Sequence, residues 1–286
     1  MQPQLVNGKW EGTWSTNHPA SSVVVTVSAE DPTDTIGGSR QLTGGLGTPI
    51  DPPLIPQGGV VSGASFAPNT PLAPGEIVSL FGTKLADTTA GAASLPLPTQ
   101  LSGTSLVIGG IGMPILYTSN GQVNAVVPYG LTPNTSQQVL VQRDATLSVP
   151  VSVDVGPAQP GVFFQAPMQG IIIAYRGQTN FLAAPGSPAT AGDVLVIYSA
   201  GLGPVIPAVA DGVGAPSNPP ATTTSQPTVT IGGINAPIQF SGLAPGFVGL
   251  YQVNAVVPPG VTPGNQVPVI LSIAGQTSPP VTIAVK

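Results

Sequence analysis

Val, Ile and Leu recur in short alternating runs along the chain, and Pro or Gly interrupts nearly every window long enough to hold a helix. The pattern predicts an all-β protein. Strands are expected at Ser22–Ser28, Glu76–Phe81, Ser105–Ile108, Gln122–Val127, Gln138–Gln142 and Ser148–Val155. A second series is expected at Gly170–Tyr175, Asp193–Tyr198, Thr228–Ile231, Gln252–Val257, Val267–Ile273 and Val281–Val285. Short β-branched runs at roughly ten-residue spacing, with turn residues between them, are the pattern of a sandwich.

The two series are copies. "GQVNAVVPYGLTP" begins at Gly121 and "YQVNAVVPPGVTP" at Tyr251; set without a gap, residues 122–155 and 252–285 share fifteen of 34 positions. Upstream, "IGGIGMPI" at Ile108 matches "IGGINAPI" at Ile231, and "PGEIVSLFGTKL" at Pro74 matches "AGDVLVIYSAGL" at Ala191. The second copy carries about seven extra residues around "SGLAPGFVG". A unit of about 100 residues with some seven strands suits an immunoglobulin-like sandwich. The expected layout is two tandem immunoglobulin-like β-sandwiches, 58–158 and 159–286, preceded by a partial β segment (1–35) that ends an upstream module and a Gly/Pro-rich linker (36–57).

Composition narrows the function classes. With 37 Gly and 35 Pro among 286 residues, 6% charged and 41% hydrophobic, the chain is Gly/Pro-punctuated β rather than disordered, because its apolar content is too high and its net charge of −5 too low. The absence of Cys excludes disulfides, thiolate metal sites and a Cys nucleophile. Six basic residues, Lys9, Arg40, Lys84, Arg143, Arg176 and Lys286, are scattered and form no patch for a phosphate backbone, so nucleic acid is not an expected partner. No apolar run reaches the ~20 residues of a membrane helix. Richness in Thr, Ser, Gly, Pro and Val with little Lys or Glu points to an extracellular or cell-surface chain. "MQPQLVNGKW" does not read as a signal peptide, so an exported chain is expected to be a piece of something longer.

The stretch "GGVVSGASFAPNTPLAPGEIVSLFGTKLA", the doubled "QVNAVVP" and the closing "SPPVTIAV" resemble the uncharacterised C-terminal domain of large exported proteins of Solibacter and related Acidobacteria, over about 58–286. "PGEIVSLFGTKL" more distantly resembles the opening strand of IPT/TIG immunoglobulin-like modules. The resemblance implies a secreted or surface-exposed module and carries no catalytic residues.

Candidate chemistry is sparse. A Ser/His/Asp arrangement needs a His base; the one His is His18, and "IYSAGLG" around Ser199 lacks the first Gly of a nucleophile elbow. Glu76 and Asp193 occupy the same place in both copies, just after a Gly, and read as turn chemistry rather than a glycosidase pair. Glu30, Asp31 and Asp34 offer oxygens for Ca²⁺, or form a solvated acidic turn; no other cofactor or metal is expected. Trp10 and Trp14 lie four apart, as a glycan-stacking pair or as the core remnant of the upstream segment. Phe81 and Tyr198 match between copies and read as core positions. Asn124 and Asn254, the polar members of the doubled phrase, are expected as structural hydrogen-bonding anchors that cap neighbouring loops.

The expected function is a non-catalytic structural, adhesion or assembly module whose partners are itself or other cell-surface proteins, with self-association by strand exchange through the final strand. The alternative is a carbohydrate-binding module with a polysaccharide partner.

Overall fold

The computed structural model describes residues 4–6, 9–11, 20–30, 37–46 and 52–286. Every regular element among them is a strand. In the first copy, Val60–Ser62 pairs with Ile77–Phe81, which pairs with Gln122–Val126, which pairs with Ile115–Thr118. The facing sheet sets Thr135–Arg143 between Thr104–Ile108 and Val151–Val155. The second copy repeats this, with Ile172–Arg176, Val194–Ala200, Tyr251–Val256 and Ile238–Leu243 in one sheet. Thr228–Ile231, Gly264–Ile273 and Val281–Val285 form the core of the other. Four strands against three, in this order, is the immunoglobulin arrangement. In both copies the segment before the second strand crosses over to bridge the last strand in parallel, at Leu72 to Val155 and at Ala189 to Val285.

Period-two alternation fills each interior. Val78, Leu80, Val123 and Ala125 point inward to meet Leu106, Ile108, Val139 and Val141, all at most 1% exposed. Leu195, Ile197, Val253, Leu271 and Ile283 do the same in the second copy. Phe81 and Tyr198 are therefore not core residues, because their parity places them on the outer face. Phe81 is exposed and lies 6.3 Å from the Phe66 ring.

The expected linker 36–57 is structured at both ends. Gly37–Leu46 pairs in antiparallel register with Ala20–Glu30, so this part of the expected linker is a strand rather than a tether. Gly and polar residues hid this strand, whose pairing comes from its Val-rich partner. Arg40 donates to the Gly110 carbonyl, tying this strand to the first sandwich. At the other end, Leu54 bonds Thr83 in both directions and Ile55 is buried in the first core.

Candidate functional site

The doubled phrase is built for shape. In each copy the Gln amide donates to the Asn Oδ1 two residues on, at 2.8 Å for Gln122 to Asn124 and 2.9 Å for Gln252 to Asn254. Ser79, on the neighbouring strand, also donates to Asn124 at 3.1 Å. Both Asn residues are half-buried on the outer sheet face, and these bonds run to side chains of that face rather than to loop backbone. The two Val residues carry the corner. Val126 and Val256 donate to Pro114 and Pro237, while Val127 and Val257 donate to Glu76 and Asp193, all at 2.9 Å. The shared Ser148 and Ser278 are buried and each caps an amide of the preceding strand, Val141 at 3.0 Å and Leu271 at 3.1 Å.

The places where the copies differ meet each other. The phrase carries Tyr129 after its Pro in the first copy, where the second has Pro259, and begins with Tyr251 in the second, where the first has Gly121. Both tyrosines lie at the junction of the sandwiches. Tyr251 is fully buried and donates to the Gly203 carbonyl at 2.5 Å. The Tyr129 hydroxyl is buried without a well-aligned hydrogen-bond partner and faces the Tyr251 hydroxyl, whose single proton goes to Gly203. Burial, first of all, pushes both phenols above their ordinary range. The Tyr129 amide donates to Asp211 of the second sandwich at 2.9 Å.

The insertion in the second copy completes this junction. Val248, within it, packs with Leu97 and Val126 of the first sandwich, supported by Ile77, Ala92 and Leu116. Leu97 donates to the Gly212 carbonyl at 2.8 Å, a backbone bond between the two units. A cleft of about 540 Å³ beside it is lined mainly by apolar groups, including Leu95 and Phe247.

At the centre stands Glu76, fully buried. Its Oε2 accepts from the Ala73 amide at 2.8 Å, while Oε1 has no hydrogen-bond partner. Desolvation pushes its pKa up to about 8, against the pull of the Ala73 amide and the Ser62 hydroxyl. A side chain on Gly201 of the second sandwich would lie 3.2 Å from the Glu76 carboxyl carbon, so the units approach to backbone distance here. Ser199, two residues away, has a buried hydroxyl without a partner.

Other sequence candidates fall elsewhere. Glu76 and Asp193 do not meet; each sits in its own copy of the same turn, and Asp193 is paired with Arg176 at 2.6 Å. His18, Trp14, Asp31 and Asp34 lie outside the described residues, and only the backbone of Trp10 and Glu30 is described. Among the described residues no three His, Cys, Asp or Glu side chains gather as a metal site, and no helix is long and apolar enough to cross a membrane.

The chain is thus an all-β protein with two joined sandwiches. No family model and no curated protein matches it. Among solved structures it is similar to SGBP-B of the Bacteroides ovatus mixed-linkage glucan utilization locus, solved with a mixed-linkage heptasaccharide, at 13% identity and TM-score 0.35. That match covers 98% of this chain and 58% of the other, so the chain spans less than two thirds of that protein. It is also similar to domains 5–6 of the S-layer protein SbsC, at 14% identity, TM-score 0.23 and 82% and 98% coverage. A third likeness is the endo-fucoidan hydrolase MfFcnA4 of glycoside hydrolase family 107, at 14% identity, TM-score 0.16 and 75% and 27% coverage. No residue role passes across likenesses this distant.

Proposed function

We propose that this chain is a non-catalytic structural module of an exported or cell-surface protein, serving to hold two β-sandwiches in one fixed relation. The observation that carries the reading is the closed junction. Tyr129 and the inserted loop, features in which the copies diverge, bond or pack across to the other unit, Tyr251 is buried beside them, and one backbone bond, Leu97 to Gly212, crosses between the units. A hinge-linked pair would keep these surfaces polar and wet. The low charge and Thr/Ser/Gly-rich surface suit an extracellular setting, in agreement with the Acidobacterial resemblance.

Replacing Val248, which is 9% exposed, by Asp places a charge in the apolar contact. The intact chain should unfold in one calorimetric transition and V248D in two, with a broader distance distribution in X-ray scattering. Two transitions in the unsubstituted protein would sink the rigid-module reading.

Self-association through the final strand belongs to this proposal but meets an obstacle. Val281–Val285 lies between Gly264–Ile273 and Gln169–Gly170, so exchange requires withdrawing a strand with partners on both sides. Light scattering over a wide concentration range tests it; a strict monomer throughout would remove assembly from the function.

A further inference from the structure

Ile238–Leu243 contains a bulge between Ile238 and Phe240, as Ile115–Thr118 does between Ile115 and Tyr117. A bulge re-aims the side chains beside it. In both copies it sets an aromatic ring on the outer sheet face opposite the Asn of the doubled phrase, Tyr117 against Asn124 and Phe240 against Asn254. The bulged residue differs. In the first copy it is Leu116, consumed by the junction; in the second it is Gln239, which is exposed.

Phe240 is half-buried and takes no part in the second core. The tip of its ring passes over Gly242, 2.9 Å from where a Cβ on that glycine would stand, so the ring lies along the strand rather than standing up from it. The ring is thereby held against the outer side of the sheet. Beside it is a cavity of about 280 Å³ whose polar lining is Gln239, Gln226, Thr222, Thr223 and Ser241, with no charged side chain. Thr223 donates to the Ser241 hydroxyl at 2.9 Å and Thr222 to the Ile206 carbonyl at 3.2 Å. Thr223 and Ser241 bond each other on the inner side, opposite the buried Val253, while the Thr222 oxygen on the Phe240 side is free to accept and the two exposed amides can both donate and accept.

We propose that Phe240 and this uncharged ring of amides and hydroxyls form a subsite for a neutral hexopyranose unit of a polysaccharide. The apolar C–H face of the sugar stacks on the Phe240 ring, and its hydroxyls exchange hydrogen bonds with Gln239, Gln226 and Thr222. The absence of charge in the lining selects against uronic-acid and sulfated chains, which would leave their anionic groups unpaired on binding. The subsite uses neither Trp10 nor Trp14, and it does not rest on the rigidity of the junction.

The test is native gel electrophoresis of the full chain through gels containing hydroxyethyl cellulose, galactomannan, soluble starch or, as the anionic control, polygalacturonate. Retardation by at least one neutral polysaccharide is expected, weakened at least about tenfold in Phe240→Ala and also weakened in Gln239→Ala. It should persist in Phe240→Trp and in the Trp10→Ala/Trp14→Ala double variant. Gln239 is exposed, so its variant reports on binding even if Phe240→Ala folds poorly. The proposal is overturned if no neutral gel retards the protein, if polygalacturonate alone does, or if retardation survives both the Phe240→Ala and Gln239→Ala changes.

Discussion

Glu76 and Asp193 stand at the same turn of the two sandwiches, each accepting the amide of the residue three before it at 2.8 Å, yet only Asp193 is given a cation. The difference follows from location. Asp193 lies where Arg176 can reach it from solvent, and Glu76 lies where the second sandwich closes over the first. Around Glu76 the titratable groups are Tyr129 and Tyr251, with Asp211 beyond Tyr129, and none supplies positive charge.

The pH dependence follows from that isolation. Glu76 binds its proton more tightly folded, at about pH 8, than unfolded, near 4.5. Between those values the native state holds more protons, so stability falls as pH rises through the window and levels off above it. The slope from this group is at most about 1.4 kcal/mol per pH unit. Glu76→Gln keeps the acceptor for the Ala73 amide and removes the ionisation. Its melting temperature should exceed the unsubstituted protein's at pH 8 and match it near pH 5. Parallel melting curves of the two proteins across this range would refute the assignment.

Asp193 titrates with the opposite sign. Burial alone would raise its pKa, but the Arg176 guanidinium and the Thr190 amide and hydroxyl outweigh it and hold the carboxyl below its ordinary range. Its contribution is present above the unfolded value of 3.8 and is lost as pH falls through the lower folded value. Asp193→Asn keeps an oxygen for Thr190 but breaks the two-pronged contact with Arg176, at 2.9 and 2.6 Å. We expect the melting temperature to drop by a few degrees at pH 7 and the gap to narrow as pH falls below 3.8 through the lower folded value. A gap that stays constant with pH would show that charge is not the cause.

How much of this was legible in the chain depended on where the copies agree. The β-branched runs marked strands correctly because each fills a period-two core. Ile115–Thr118 and Ile238–Leu243 escaped notice because each follows a Pro and contains a bulge, which breaks the alternation. Gly37–Leu46 escaped because eight of its ten residues are Gly or polar. The shared Gln, Asn, Val and Ser residues pointed to shape, and their hydrogen bonds lie within each unit. The junction was illegible for the converse reason. Tyr129, Tyr251 and the inserted Val248 are mismatches in the alignment, and comparing a repeat with itself discards them. The signal that could have found them is an aromatic in one copy at a site where the other has Pro or Gly.

Two glycines separate close approach from mere flexibility. Gly201 has φ of +76°, and a Cβ there would overlap the Gln159 carbonyl oxygen. The Gln159 amide also donates to the Gly201 carbonyl at 2.8 Å, so that backbone cannot step aside without losing a bond. Gly201→Ala should destabilise by at least about 2 kcal/mol. Gly186 has open space around its Cβ position and no left-handed φ, so Gly186→Ala should be neutral or stabilising by up to about 1 kcal/mol. Chemical denaturation of both variants checks the contrast; equal losses would mean that the Gly201 contact is relieved by a small shift.

The final strand decides whether the second sandwich can release its C-terminus. Val281, Ile283, Ala284 and Val285 are each at most 5% exposed, and Val285 also closes the parallel bridge to Ala189. Removing residues 281–286 leaves the amides and carbonyls of Gly264–Ile273 unpaired along one edge and opens the apolar interior to water. The truncated chain should therefore lose cooperative unfolding of the second sandwich, while the first, whose last strand is Val151–Val155, melts in a separate transition that the intact chain does not show. Hydrogen exchange should show the loss of protection concentrated beyond residue 161, reaching into the first sandwich only at the junction around Leu97 and Val126. If the truncated chain melts like the full one, the strand is dispensable to its own sheet and becomes available to a neighbour's, which is the condition strand exchange requires.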